Sequence, residues 1–397
     1  MEVKKNILFI CWSINIEKGI GTFFWEQAVL LKDKYNVRLC VFNRNVIGRK
    51  EYYKKHHFGN NKITFSKEFT PNNIELITFQ YRVVEKFSKS RNLELYNNFV
   101  TNSFSEFYSD IDIIHAQCVF NAGIEAFFIY NKFKIPYVIT EHNQFSLRHK
   151  SLEEQNLIYK VLENSKEILV VSNDKSRQFI ANGFFYSFKN VGNLVNSTLF
   201  NTNVSIKKSR VFRLITIGAY HPIKNQKFIL DALKIVDKKI TCKIIFTWIG
   251  FSGWGTDKKK NVEELISNYN LKNIIIELEP SLNRKQVSNK LKQADLFLFS
   301  SLSEGMPVSV LEALACGVPV CSTNFGGVDE IINSNNGLIV QIMDYESMAN
   351  YTVKVINKEI EIDKGKISEE ILRKFGESPF KERIMNIYSN LIDTNLN

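Results

Sequence analysis

Short apolar runs recur along the chain, each followed by a stretch of helical periodicity, and the whole alternation happens twice. The first set of runs covers 6–13 (NILFICWS), 37–42, 112–117, 136–142 (PYVITEH) and 167–172, with helical patterns between them such as 22–33 and 152–164. The second set covers 211–220, 242–250, 273–278, 295–301 and 318–323, separated by helices near 225–236, 261–269, 283–292 and 307–315. Strands that read as continuous apolar runs are buried on both faces, as in a parallel sheet covered by helices. The chain is therefore expected to be α/β, with two doubly wound, Rossmann-like domains facing across a cleft. The polar, aperiodic stretch 201–210 separates the two sets. The boundaries expected are 1–205 for the first domain, 206–377 for the second, and 378–397 for a last amphipathic helix.

With 44% hydrophobic and 13% aromatic residues, the chain can build two large cores. Its six cysteines form neither a CxxC pair nor a Cys/His cluster with metal spacing, which points to reduced thiols in a cytoplasmic protein. The N-terminus imitates a signal peptide, yet the run 7–14 is short and no small-residue cleavage site follows, so an opening strand is expected. No stretch reaches the roughly 18 apolar residues that span a bilayer. The net charge of +11 is mild for this length and comes with no recognisable nucleic-acid module, which argues against a nucleic-acid partner. The densest basic stretch, GRKEYYKKHHFG at 48–59, reads as a solvated loop; its sharper reading is a surface for anionic lipid, at the inner face of the cell membrane, or for a phosphorylated acceptor.

The segment SEGMPVSVLEALACGVPV, residues 303–320, carries the most chemistry. A strand ends near 301, Pro307 is placed to open a helix, and Gly317 to close it. The free N–H groups at that helix start make an anion site. Val308, Leu311 and Ala315 form one apolar row, Val310 and Leu314 another, and only Ser309 and Glu312 are polar. On a buried face an unpaired carboxylate would cost several kcal/mol. Sugar hydroxyls could satisfy Glu312, as an acidic residue does for ribose in dinucleotide folds; the plainer alternative is that Ser309 and Glu312 face solvent.

Two glutamates with seven residues between them, and Gly-x-Pro after the first, resemble the donor-binding signature of retaining GT-B glycosyltransferases of family four. Further stretches fit the resemblance: ADLFLFSS (294–301), FGGVDEII and NNGLIV (325–340), GNLVNSTLF (192–200, with Leu194 and Asn196 departing from the family), PYVITEH, and the glycine loop with its helix at 19–31. The resemblance is densest from 211 to 340 and weakest between 44 and 105. It implies transfer of a sugar from a UDP-, GDP- or ADP-sugar to a glycan or glycolipid acceptor, with retention at the anomeric carbon and without a metal or other cofactor.

Carried over by position, the resemblance gives Glu304, His142 and Lys224 catalytic roles. Glu304 would fix the donor sugar, His142 would reach it from the first domain, and Lys224 would neutralise the diphosphate. Glu312 would grip the ribose, and Gly21, Gly218, Gly305, Met306, Pro307, Val308 and Ser309 would complete the donor site through glycine loops and backbone N–H groups. One departure stands out: Ala219 occupies the position where the family usually has Arg, with His221 or Lys227 as conceivable substitutes. His115 reads as a core histidine. Asp110 and Asp112 imitate a DxD metal motif but precede their strand instead of following it, so they are expected to be a structural pair. Two other functions fit the same fold: a non-catalytic nucleotide-sugar binder and a nucleotide-sugar epimerase.

Overall fold

The computed structural model describes residues 4–16, 19–47, 63–84, 87–203, 211–252 and 259–393. The basic stretch 48–59 and most of the 201–210 segment lie outside them. The first lobe runs β1 (Asn6–Cys11), α1 (Thr22–Leu31), β2 (Asn36–Ile47), β3 (Phe65–Phe69), β4 (Glu75–Val84), α2 (Lys89–Phe107), β5 (Ile113–Ala116), α3 (Ile124–Phe133), β6 (Tyr137–Glu141), α4 (Leu152–Glu163), β7 (Glu167–Val170), α5 (Asn173–Ala181) and β8 (Phe188–Asn190). The second runs β9 (Phe212–Ile217), α6 (Gln226–Lys239), β10 (Ile244–Ile249), α7 (Lys259–Ser267), β11 (Ile274–Glu279), α8 (Arg284–Gln293), β12 (Leu296–Phe299), α9 (Val308–Ala315), β13 (Val320–Thr323), β14 (Gly337–Val340), α10 (Tyr345–Ile356), α11 (Lys364–Phe375) and α12 (Glu377–Asp393).

The second sheet has the order β11-β10-β9-β12-β13-β14, all parallel. Counted from β9 this is 3-2-1-4-5-6, whose direction reverses between β9 and β12. The first sheet, β3-β4-β2-β1-β5-β6-β7-β8, repeats that order from β1 and adds two edge strands, the antiparallel β3 and the parallel β8. Its reversal falls between β1 and β5. Ligands in such sheets bind outside the carboxyl ends of the strands at the reversal. The loops after β1, β5, β6, β9 and β12 are therefore the ones that matter.

The apolar runs behave as their composition dictates: Ile7 to Ile10 and Leu296 to Leu298 are completely buried. Asp110 forms a two-point ion pair with Arg38, and Asp112 accepts the Asn6 N–H at 2.8 Å and pairs with Lys5. Both carboxylates thus hold down the amino ends of strands, away from the strand ends that line the cleft.

The last helix, α12, packs on the first sheet. Phe380, Ile384, Ile387 and Tyr388 join Ile7, Phe9 and Val37 in one core. The Tyr388 hydroxyl reaches Nδ1 of the buried His115 at 2.6 Å, and Nε2 of that ring meets Thr140 Oγ1 at 2.7 Å. Burial lowers the His115 pKa to about 3, so the ring is neutral and hydrogen-bonded to two hydroxyls. Tyr388→Phe leaves a ring nitrogen buried without a partner. It is expected to cost about 1–3 kcal/mol, read as a lower urea midpoint with unchanged slope.

Candidate functional site

The loops at the two sheet reversals converge between the lobes. Gly218 follows the carboxyl end of β9, and the chain turns through Pro222–Lys224, where Lys224 ends a short 3₁₀ turn. After β12, the next loop is tied to that turn: Ser300 Oγ donates to the Lys224 carbonyl at 2.7 Å and the Leu302 N–H to the Ile223 carbonyl at 2.8 Å. This lacing brings Lys224 Nζ to 2.5 Å from Glu304 Oε1. The diphosphate candidate and the sugar candidate therefore form an ion pair in which both side chains stay partly accessible.

Glu304 is followed by Gly305 and Met306, which meet the first lobe directly. Ser172 Oγ donates to the Gly305 carbonyl at 3.0 Å, and Asn193 Nδ2 to the Met306 carbonyl at 2.8 Å. A Cβ on Gly305 would lie 2.1 Å from the backbone oxygen of His142, so glycine is required for this approach of the lobes. From the second lobe, Glu330 also caps α5 of the first, accepting the Asn173 N–H at 2.8 Å.

Helix α9 is set by packing. Val310, Leu311 and Leu314 are fully buried, each worth roughly 1.5–3 kcal/mol relative to exposure. Its start differs from expectation in one respect: Pro307 has ψ 114° and is the cap, and Val308 is the first helical residue. The cap geometry turns the Pro307 carbonyl into the helix, where it accepts the Val310 N–H at 3.1 Å. The N–H groups of Val308 and Ser309 precede that first bond. Gly317, with φ +71°, closes the helix.

Glu312 is only 3% exposed, so it does not face solvent. Nor is it unpaired: Arg284, the first residue of α8, donates Nη1 to its Oε1. The same guanidinium forks onto Glu26 of α1, with Nε at 3.2 Å from Oε1 and Nη2 at 2.8 Å from Oε2, and lies over the Phe200 ring. Burial pushes the Glu312 carboxyl up to about 7, and the neighbouring Arg284 opposes that rise.

From the first lobe, Gly21 occupies φ +62° at the cap of α1. A Cβ there would lie 2.1 Å from the Ser13 carbonyl oxygen. This turn aims the start of α1 at the cleft and sets Phe23 and Phe24 against the His142 ring, with centroids 5.1 and 5.5 Å away. His142 Nε2 is 2.9 Å from Gln117 Oε1, and burial lowers its pKa to about 3. Gln117 Nε2 and, across the cleft, Gln226 Oε1 are buried without a hydrogen-bond partner, while the Asn193 side chain hydrogen-bonds the His142 ring. Buried polar atoms are normally satisfied; two orphaned amide atoms at one junction fit a place where a ligand's hydroxyls or phosphates would sit. Neither proposed substitute for the missing cation at Ala219 faces this junction's ion pair. His221 Nδ1 accepts the Ile223 N–H of its own turn, and Lys227 pairs with Asp231 one helical turn on.

Sequence reading missed Glu26, Arg284, Gln117 and Asn193 as site residues. One signal was available for Arg284. Asn283 and Gln286 form a capping box that marks the start of α8, and a cation in a helix's first turn opposes the dipole, which implies a tertiary partner.

Comparison with known proteins bears on the fold. Residues 200–373 match the family Glycosyl transferases group 1. An uncharacterized glycosyltransferase of Methanocaldococcus jannaschii is 27% identical over 290 residues, covering 71% of this chain and 76% of that protein. The Escherichia coli UDP-Gal:alpha-D-GlcNAc-diphosphoundecaprenol alpha-1,3-galactosyltransferase is 27% identical over 188 residues, 47% of each chain, so that match spans about half of the relative. Among solved structures, Anabaena HepE in complex with UDP and glucose superposes with a TM-score of 0.72 over 97% of this chain and 100% of that one, at 17% identity. The class that fold and site define is the GT-B architecture of two Rossmann-like halves. Its second lobe contains the stretch that resembles the Glycosyl transferases group 1 family.

Proposed function

We propose that the protein transfers a sugar from a nucleoside diphosphate sugar to a glycan or lipid-linked acceptor, with retention of anomeric configuration. The observation that carries this reading is the convergence, at both sheet reversals, of a Lys224–Glu304 ion pair, a buried carboxylate at 312 and the orphaned amide atoms of Gln117 and Gln226. The Escherichia coli relative's name specifies a UDP-sugar donor and a diphosphoundecaprenol-linked acceptor, which supports the choice of substrate classes. The bond from the anomeric carbon to the diphosphate breaks, a bond to an acceptor hydroxyl oxygen forms, and the acceptor's proton passes to the departing phosphate oxygen.

In this reading Lys224 and the N–H groups of Val308 and Ser309 stabilise the charge that develops on the diphosphate, so the reaction needs no metal. Glu304 and His142 hold the sugar from opposite lobes, and Glu312 holds the ribose. His142, neutral at physiological pH, contributes hydrogen bonds and contact rather than charge. No helix among the described residues is long and apolar enough to cross a membrane. In this reading a lipid-linked acceptor is met at the cytoplasmic face of the membrane.

The test is a screen of UDP-, GDP- and ADP-sugars by thermal unfolding, followed by product analysis with the donor that stabilises. A ligand at 100 times its Kd adds about 2.7 kcal/mol, an easily read shift. Release of nucleoside diphosphate, and of a sugar with retained anomeric configuration, is expected. Stable binding with the donor left intact would favour a non-catalytic binder, to which Ala219 lends its only support.

A further inference from the structure

Arg284 does not divide itself evenly between its two carboxylates. Its wide edge, Nε with Nη2, forms a fork on Glu26, and only the tip Nη1 reaches Glu312, through Oε1. Among the described residues, Oε2 of Glu312 has no protein donor. All three groups are largely buried: the side chains of Arg284, Glu26 and Glu312 are 20%, 5% and 4% exposed. Glu26 is itself held by Asn196 Nδ2 at 3.2 Å, in the segment that joins the lobes. The arrangement thus spans α1 of the first lobe, the connection, and α8 and α9 of the second.

An Arg fork docks most stably side-on to a carboxylate, with two parallel hydrogen bonds. Left alone with Glu312, Arg284 would take both of its oxygens. Glu26 prevents this by taking the fork. We infer that Glu26 and Arg284 are positioning residues through which the first lobe sets donor affinity: Glu26 holds the Arg284 fork away, so that one oxygen of Glu312 remains open to a ribose hydroxyl. The inference rests on the reading of Glu312 as the ribose grip.

The two residues have different signatures. Without Glu26, Arg284 closes over Glu312 and the ribose loses its acceptor at any pH. Without Arg284, Glu312 loses its facing cation while Glu26 still bears on it, so burial raises its pKa further above the usual carboxylate range. It is then largely protonated at neutral pH and regains its acceptor strength as pH rises. The other titratable group close by, Cys316 one turn along α9, is pushed up to about 12 by burial and stays uncharged throughout.

The measurement is ribose discrimination: the Kd of the 2′-deoxynucleoside diphosphate divided by that of the ribonucleotide, using whichever of UDP, GDP and ADP stabilises the wild-type protein. A hydrogen bond to a charged group predicts a ratio of roughly 10 to 100 in the wild type at pH 8–9, where Glu312, with its pKa pushed up to about 7, is ionised. Glu26→Gln, which is isosteric, is expected to bring the ratio to about 1–3 at every pH from 6 to 9, with deoxynucleotide affinity little changed. Arg284→Met is expected to do the same at pH 6–7 and to recover discrimination toward pH 9. A purely structural role for the pair would weaken both nucleotides equally and leave the ratio alone. Loss of the ratio in Glu312→Gln, with wild-type ratios in both Glu26→Gln and Arg284→Met, would overturn this inference alone. An undiminished ratio in Glu312→Gln, or no binding of any of the three nucleotides by the wild type, would overturn the ribose reading along with it.

Discussion

Glu304→Ala is expected to lower sugar transfer by roughly 10²–10³-fold, the scale seen when one preorganised charge or donor is removed from a reacting centre. The fold should survive. The partner left behind, Lys224, is 31% exposed and can be resolvated, so the stability change should stay within about 1 kcal/mol. Glu304→Gln separates charge from shape: it keeps the hydrogen-bonding outline but removes the counter-charge to Lys224. If Glu304 fixes the sugar mainly by hydrogen bonds, the glutamine variant retains more activity than the alanine variant. Turnover close to wild type in Glu304→Ala, measured with saturating donor, would remove Glu304 from the reacting centre.

Gly305→Ala is expected to be about as damaging, for a steric reason. Its new Cβ would lie 2.1 Å from the His142 oxygen and 3.2 Å from the adjoining carbon, both backbone atoms of the opposite lobe. Neither can swing aside as a side-chain tip would, so the lobes must part or the loop must shift. Glu304 is the preceding residue and shifts with it. Misplacement by about 1 Å is enough to cost about 10²-fold in rate. Each sheet keeps its own core, so far-ultraviolet circular dichroism should be unchanged while activity falls. Gly365→Ala is the matched control, because a Cβ there meets only Asp363 Oδ1 at an ordinary 3.4 Å. Equal activity of the two variants would show that the contact between Gly305 and His142 is not needed for turnover.

What could be read in advance follows from where the signal is physical. Strands such as 6–11 and 296–299 are apolar at nearly every position because helices cover both faces, and that pattern is visible without coordinates. Helix α9 was legible because its apolar rows and closing glycine leave few alternatives. The register of its start was misread by one residue, since a proline suits both the cap and the first turn. The edge of the first sheet was missed for the opposite reason. Strand β3, FSKEF, has all five residues exposed, so it carries no burial periodicity to detect.

The Glu26–Arg284–Glu312 bridge was illegible because its members lie on three elements, with no shared spacing. Buried ion pairs are set by tertiary geometry, and sequence shows only that a carboxylate needs a partner. The expectation that Glu312 awaited a ligand alone was therefore half of the arrangement. Gln117 and Asn193 were overlooked because amides carry no charge or motif of their own, and only their contacts in the folded chain, with His142 and with the Met306 carbonyl, single them out.

The central claim, that a nucleoside diphosphate lies between the lobes with its ribose on Glu312, is tested most directly by a structure of the protein soaked with the diphosphate that stabilises it. The predicted result is a ribose hydroxyl about 2.5–3.0 Å from a Glu312 carboxylate oxygen, with the phosphates toward Lys224 and the start of α9. A nucleotide bound elsewhere, or bound between the lobes with its ribose turned away from Glu312, would contradict it.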